Sequence, residues 1–122
     1  MSEPTDPRQA LAADRADTLD RLAGLERELD GIVESARAAN TDDEHDPEGA
    51  TLAFEREHAT ALANQARQHL SDIDAALARL DDGSYGRCVR CGQPIAPARL
   101  AARPTAVMCI SCAARQPLRS RR

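Results

Sequence analysis

Aromatic residues are nearly absent from this sequence of 122 residues, which has no tryptophan, one phenylalanine (Phe54) and one tyrosine (Tyr85). Aromatic side chains bury large areas and supply much of the apolar surface of globular cores. We therefore do not expect a large globular core, and the length leaves room for one ordinary domain or two small units. Lysine is also absent, so all sixteen basic residues are arginine.

Long apolar segments are missing as well. The longest apolar run extends only from Ala106 to Ile110, whereas a membrane-spanning helix needs about 20 apolar residues. Residues 1–6 carry acids and no apolar stretch, so they do not resemble a secretory signal peptide. We therefore expect a soluble, cytoplasmic protein that has no membrane partner.

Motifs of catalysis are also missing. The sequence has no HExxH metal-binding helix, no glycine-rich phosphate loop and no cysteine–histidine nucleophile arrangement. We therefore predict that the protein is not an enzyme.

Acidic residues are confined to the first two thirds of the chain. Residues 1–83 hold all twenty acids and eight arginines, which gives a net charge of −12. Residues 84–122 hold eight arginines and no acid, which gives a net charge of +8. The sequence therefore predicts an acidic part joined to a basic part.

All four cysteines lie in the basic part, in two C-x-x-C pairs: Cys88 with Cys91, and Cys109 with Cys112. Seventeen residues separate the pairs, a spacing typical of four-cysteine zinc sites. Gly92 follows the first pair, where a turn around a metal often needs positive φ. Four thiolates leave no position open for water. The sequence therefore predicts one structural Zn²⁺.

Two disulfide bonds, or a redox-active cysteine pair, are the alternatives to zinc. Nothing in the sequence marks a secreted chain, and reducing compartments disfavour disulfides. A redox site needs one C-x-x-C pair, not two at zinc spacing. The segment from Ser84 onward has 39 residues, and segments this short usually need a metal or disulfides to fold. These points favour zinc.

Two long helices are predicted ahead of the cysteines, over residues 7–39 and over residues 47 to about 81. Each helix begins at an Asp-Pro pair, in which the aspartate caps the helix and the proline suits its first turn. Gly83 is a stop signal for the second helix.

Each predicted helix carries one narrow apolar stripe, because apolar residues recur at spacings of three and four. The stripe of the first helix comprises Leu22, Leu25, Leu29, Ile32 and Ala36. Leu11, Thr18 and Leu19 extend it less regularly. The stripe of the second helix comprises Ala59, Leu62, Ala66, Leu70, Ile73, Leu77 and Leu80.

Two helices of similar length joined by a short polar loop predict a mainly α fold. The expected architecture is a long antiparallel coiled-coil hairpin with a small C-terminal four-cysteine zinc-finger domain. An elongated monomer is expected, and a parallel coiled-coil dimer is the alternative. The predicted segments are a disordered N-terminus (1–6), the hairpin (7–82), the zinc finger (83–116) and a basic tail (117–122).

The loop at residues 40–48, here called the acidic tip, lies at the far end of the predicted hairpin. Its carboxylates are the candidate partner-binding residues Asp42, Asp43, Glu44, Asp46 and Glu48. A hairpin of this length projects about 50 Å, and such an arm can deliver negative charge into a basic or metal-bearing cavity. A solvated turn followed by a capped helix is the alternative interpretation.

The basic part offers four further candidate partner-binding residues: Arg87, Arg90, Arg99 and Arg103. Arginine-rich surfaces also attract nucleic acids, so a nucleic-acid-binding zinc module is the alternative function. However, proteins that bind single strands stack bases on aromatic rings, and this part has only Tyr85. Direct DNA binding is therefore the less favoured hypothesis.

The run GSYGRCVRCG at residues 83–92, the run ARPTA at residues 102–106 and the run CISC at residues 109–112 resemble the C4 zinc finger of the DksA/TraR family. The resemblance covers about residues 10–115 and is strongest from Gly83 onward. It implies a bacterial transcription regulator that binds RNA polymerase. In this family a coiled-coil arm enters the secondary channel, its acidic tip approaches the Mg²⁺ of the active centre, and initiation is modulated.

The acidic tip departs from the family pattern Asp-x-x-Asp-x-Ala. Counting back from Cys88 without gaps places His45, Glu48 and Ala50 on that pattern. A shift of two residues places Asp43 and Asp46 on the two acidic positions, but Glu48 then replaces the alanine. The acidity of the tip is therefore kept, and its residue identity is not. Some relatives also bind ppGpp through basic groups near the base of the arm. Arg103 suits that role, but the lower arm carries Gln65, His69 and Asp72, which leaves ppGpp binding open.

Overall fold

The computed structural model describes residues 6–39 and 47–115, and four helices lie within these ranges. They are α1 (Pro7–Ala39), α2 (Pro47–Asp82), α3 (Pro97–Ala102) and α4 (Ile110–Arg115). Over the described ranges β structure is limited to one isolated bridge, between Arg87 and Pro94. The predicted fold class, mainly α with a coiled-coil hairpin and a small four-cysteine domain, is confirmed.

Local signals in the sequence define the ends of the long helices. The carboxylate of Asp6 accepts a hydrogen bond from the Arg8 amide at 3.3 Å, while its carbonyl accepts one from Ala10 at 3.0 Å. At the C-terminal end of α2, Gly83 adopts a φ of +83°, which lets the amides of Ser84 and Tyr85 donate hydrogen bonds back to the Arg79 carbonyl. Capping and glycine therefore fix these boundaries.

A hydrogen-bonded turn follows the last residue of α2. The carboxylate of Asp82 accepts hydrogen bonds from the Ser84 amide at 2.9 Å and the Ser84 hydroxyl at 2.6 Å. These two bonds favour the ionised carboxylate, and they hold the pKa of Asp82 below its ordinary value. The turn directs the chain from the helix into the cysteine-rich segment.

The chain forms two compact units, and α1 and α2 contribute to both. The first unit comprises Met1–Asp14 and Asp72–Arg122, and the second comprises Arg15–Ser71. The first unit therefore contains the start of α1, the end of α2 and all four cysteines.

In the first unit, the start of α1 packs against the end of α2. Leu11, Ile73 and Ala76 are fully buried, and the partly buried side chains of Leu77 and Tyr85 pack against them. An exposed ion pair joins Arg8 to Asp81 at 2.8 Å. Because exposed ion pairs contribute little, burial of the apolar side chains supplies most of the stabilisation here.

In the second unit, the rest of α1 pairs with the first part of α2. The buried residues are Thr18, Leu25, Ile32, Ala59, Ala63 and Ala66. An exposed ion pair between Glu26 and Arg67, at 3.2 Å, crosses from one helix to the other. The two segments are antiparallel, because Ile32 and Ala36 of α1 lie beside Leu52 of α2, whereas Leu25 lies beside Ala66.

The predicted apolar stripes are correct in part. Leu25, Ile32, Ala59, Ala66 and Ile73 are buried as expected, but several predicted members are not: Leu22, Leu29, Leu70, Leu77 and Leu80 are half-buried, and Ala36 and Leu62 are exposed. Ala63 and Ala76, which the stripe did not include, are fully buried. Helices approach according to the size of the side chains between them, so alanines of α2 are buried together with Leu25, Ile32 and Ile73, while the other leucines of the stripes are only partly covered.

No helix within residues 6–39 or 47–115 has enough apolar length to cross a membrane.

Candidate functional site

The first cysteine pair lies on a tight turn held by backbone hydrogen bonds. The Cys88 amide donates to the Gln93 carbonyl at 2.8 Å, and the Gly92 amide donates to the Cys88 carbonyl at 2.9 Å. The amides of Arg90 and Cys91 approach Cys88 Sγ at 3.4 and 3.5 Å. Gly92 has a φ of +77°, a conformation that other residues rarely adopt. The turn therefore orients Cys88 and Cys91 to the same side.

The second pair lies at the start of α4. Cys109 directly precedes the helix, Cys112 lies within it, and the Cys109 carbonyl accepts the Ala113 amide at 2.9 Å. The Val89 amide donates to the Val107 carbonyl at 2.9 Å, which joins the segment before this pair to the first turn. The two pairs are thereby brought face to face.

The four sulfur atoms form one cluster. All lie within 4.8 Å of one another, and Cys91 Sγ lies 3.9 Å from Cys109 Sγ. Zn–S bonds of about 2.3 Å in a tetrahedron put neighbouring sulfurs about 3.8 Å apart, so the cluster fits one zinc ion. Four sulfur ligands complete the coordination of zinc, and such a centre supports the fold without activating water.

Hydrogen bonding and burial act on these thiols in opposite directions. Burial raises the pKa of Cys88, but amide hydrogen bonds from Cys109, Cys91 and Arg90 outweigh it and lower the pKa to about 6. The Cys112 amide lowers the pKa of Cys109, whereas burial raises the pKa of Cys112 to about 12. Zinc binds the thiolate forms, so loading the site displaces protons.

A small apolar cluster packs around the sulfurs. Cys88, Ile95 and Cys112 are buried together, and Leu100 and Met108 pack against them. Cys91 is exposed. The core of this part of the unit is therefore built directly on the cysteines, as expected where apolar burial alone is too small to hold a fold.

Two of the four predicted partner-binding arginines make hydrogen bonds to the cysteine-bearing loops. Arg87 Nη1 donates to the Gly92 carbonyl at 3.0 Å. Arg99 Nε donates to the Met108 carbonyl at 2.9 Å, next to Cys109. Both side chains thus brace the cluster, and their partner-binding role stays a prediction, as does that of Arg90 and Arg103.

A cavity of about 320 Å³ in the first unit is lined by Arg79, Arg99 and Arg103, and we call it the arginine cavity. Asp72 also lines it. Arg99 and Arg103 are among the partner-binding residues predicted from the sequence, whereas Arg79 is not. The spacing in the sequence does place Arg79 on the same face of the second helix as Asp72, because the two residues are seven positions apart.

The acidic tip lies almost wholly outside the described residues. Asp42, Asp43, Glu44 and Asp46 belong to residues 40–46, and of Glu48 only the position of its backbone in α2 is described. The predicted role of these carboxylates therefore stays a prediction.

Comparison with known proteins relates both the cysteine cluster and the long helices to one group. Residues 83–117 match a family model described as the prokaryotic dksA/traR C4-type zinc finger. The RNA polymerase-binding transcription factor DksA of Caulobacter vibrioides is 46% identical over 69 residues, which cover 55% of this chain and 49% of that protein. DksA of Escherichia coli K12 is 39% identical over 62 residues, or 49% and 41% of the two chains. These matches span about half the length of the curated relatives or less.

A solved structure extends the similarity to most of the chain. The transcription factor DksA2 from Pseudomonas aeruginosa superposes with a TM-score of 0.74 at 34% sequence identity. The match covers 90% of this chain and 79% of DksA2. The similarity therefore includes the long helices as well as the cysteine-rich segment, and the prediction of a single zinc cofactor is confirmed by the four-cysteine match.

Proposed function

Because this chain belongs to the DksA/TraR family of C4-type zinc-finger proteins, we propose that it regulates transcription by binding RNA polymerase. The observation that carries the proposal is the 34% identical match to DksA2, a transcription factor, over 90% of this chain. Curated relatives that match about half of this chain are named RNA polymerase-binding transcription factors, which supports polymerase as the partner.

The proposed mechanism is mechanical and electrostatic. The paired helices α1 and α2 form an arm that enters the secondary channel of the polymerase, and the acidic tip places negative charge near the Mg²⁺ of the active centre. The length of the helices, 33 and 36 residues, supports this role. Carboxylates and divalent cations attract strongly where water is scarce. Initiation changes because the tip alters the active centre, and no reaction is catalysed by the regulator itself.

The zinc centre serves this mechanism by holding the base of the arm. The cysteines at 88, 91, 109 and 112 would hold the zinc ion, which would link the turn at Cys88 to α4. Arg99 connects α3 to the segment before Cys109 through its hydrogen bond to the Met108 carbonyl. The exposed arginines Arg87, Arg90 and Arg103 supply positive charge for docking at the rim of the channel, where complementary charge speeds association and sets orientation.

Binding of nucleic acid by the basic part is the alternative function. Residues 83–115 contain five arginines and no acid, which favours any polyanion. However, Tyr85 is half-buried and its hydroxyl donates to the Pro104 carbonyl at 2.8 Å, so the one aromatic ring of this part is engaged in the fold. Without a free ring for base stacking, protein contact is the better supported role.

A competition experiment separates the two functions. Zinc-loaded protein is incubated with core RNA polymerase, with and without excess duplex DNA, and co-purification is measured at physiological salt. We expect binding to polymerase that free DNA does not reduce. Binding to bare DNA with none to polymerase would contradict the proposal and support the alternative.

A further inference from the structure

Three bulky apolar side chains are much more exposed than any other in residues 6–39 and 47–115. Phe54 of α2 is 76% exposed, Val89 is 66% exposed and Ile110 is 68% exposed. The remaining exposed large apolar side chains of these ranges do not exceed 41%. Single exposed apolar residues are common on proteins, so the surroundings of these three decide whether they form binding surfaces. None of the three lines the arginine cavity.

Val89 and Ile110 lie close together beside the cysteine cluster. Each directly follows the first cysteine of its pair, and the four sulfurs lie within 4.8 Å of one another. The Val89 amide also donates to the carbonyl of Val107, three residues before Ile110, at 2.9 Å. Two exposed arginines, Arg87 and Arg90, flank Val89 in the sequence. We call Val89, Ile110 and these two arginines the zinc-loop surface.

Phe54 lies on a surface with acidic neighbours. It precedes the buried Ala63 by nine positions, or about two and a half helical turns, so it faces away from the packed side of α2. Glu55 and Glu57 beside it are exposed, as is Arg56 between them. We call Phe54, Glu55 and Glu57 the arm surface.

The two surfaces have complementary charge and similar apolar content. Residues 84–122 hold eight arginines and no acid, a net charge of +8, whereas residues 15–71 hold thirteen acids and six arginines, a net charge of −7. Opposite charge speeds association and sets orientation, and apolar anchors inside a polar rim supply much of the energy of protein interfaces. Each chain carries both surfaces, so two copies in a reciprocal arrangement cover both surfaces of each chain.

We infer that the zinc-loop surface of one chain binds the arm surface of a second copy. The contact brings Phe54 of one chain against Val89 and Ile110 of the other. The arginines of the first surface face the glutamates of the second. This self-association goes beyond the proposed function, and its test needs no polymerase.

Sedimentation equilibrium of intact, zinc-loaded protein tests the inference. We expect the mass to rise from that of one chain towards that of two as concentration increases at low salt. It should return to the mass of one chain in about 0.5 M salt, where charge attraction is screened. The mass of one chain at every concentration would overturn the inference. So would a dimer that high salt leaves intact, because an apolar coiled coil then explains the pairing better.

Substitutions identify the surfaces that pair. Phe54→Ser and Val89→Ser are compared at low salt with the control Leu19→Ser, which alters an exposed apolar residue outside both surfaces. Zinc content and circular dichroism are checked for each variant. We expect the dissociation constant of the pair to rise about tenfold for the first two variants and to stay within about twofold of the wild type for the control. A Val89 variant that pairs like the wild type would contradict the inference.

A mixture of the two variants tests whether the contact is reciprocal. When Phe54→Ser pairs with Val89→Ser, one contact loses both apolar partners, while the other keeps an intact Phe54 against an intact Val89. The mixed pair should therefore be tighter than the pair that either variant forms alone. Fluorescence anisotropy follows one variant labelled at its N-terminal amine, since a chain without lysine offers amine-reactive dyes no side chain. A mixed pair no tighter than those of the separate variants would overturn the proposed contact.

Discussion

At the scale of single residues, Gly92 is the position where backbone conformation matters most. Its φ of +77° is strained for any residue with a side chain, although no atom lies within 4 Å of an added Cβ. We predict that Gly92→Ala lowers the stability of the zinc-bound segment by about 1–2 kcal/mol. Competition with a chelator, read as the concentration that removes half of the zinc, measures the change.

Gly31 provides the matched control for that substitution. It lies inside α1 and also has open space around an added Cβ. Gly31→Ala should stabilise the protein by about 1 kcal/mol, because alanine is the better helix former, and should leave zinc retention unchanged. If both substitutions had the same sign, backbone conformation at Gly92 would not be the cause.

Tyr85 is a second residue whose role is testable alone. Burial raises the pKa of its phenol above the ordinary value, and its hydroxyl donates to the Pro104 carbonyl. Because the folded pKa exceeds the unfolded value of about 10, stability falls as pH rises past that value. We predict that Tyr85→Phe loses about 1 kcal/mol at neutral pH and loses this part of the alkaline dependence. Urea unfolding at pH 7 and at alkaline pH, compared with the wild type, is the measurement.

At the scale of elements, the sequence predicted the ends of the long helices better than their packing. Pro7 and Pro47 begin α1 and α2, and α2 ends one residue before Gly83, because capping depends on nearby residues only. Which residues are buried depends on how closely two helices approach. Ala63 and Ala76 are buried and Leu62 is exposed, a result that hydrophobic spacing alone does not predict.

The metal site could also be predicted from short sequence motifs, whereas the arginine cavity could not. Two C-x-x-C pairs at this spacing predict that their four sulfur atoms come together around one zinc ion. Arg79 and Arg103 line one cavity only because α2 and the segment after α3 fold together in the first unit, and that arrangement depends on tertiary packing.

Zinc removal tests the elements separately. Chelation should unfold the segment that holds α3 and α4, since its small core is built on the cysteines, while α1 and α2 keep much of the helical signal. Circular dichroism during chelation, with titration of released thiols, should show four free thiols and a partial loss of ellipticity. Purified protein with substoichiometric zinc and two disulfide bonds would refute the zinc centre.

At the scale of the whole molecule, we propose that docking and regulation depend on different parts of the chain. In the proposed mechanism, the zinc-bearing base and the arm supply most of the binding energy, and the acidic tip supplies the effect on the active centre. If charge is what the tip contributes, carboxylates matter more than the identity of each side chain, because Coulomb attraction tolerates the extra methylene of glutamate. The departure of Glu48 from the family pattern is then compatible with activity.

The most direct measurement compares polymerase binding and promoter initiation for one variant, Asp43→Asn with Asp46→Asn and Glu48→Gln. A control with three exposed acids of α1 neutralised, Asp17→Asn with Asp20→Asn and Glu28→Gln, matches its change in charge. Asparagine at 46 keeps the capping ability of aspartate. We predict that the tip variant binds polymerase nearly as well as the wild type but no longer changes initiation, while the control does both. A tip variant that regulates promoters like the wild type would contradict the account.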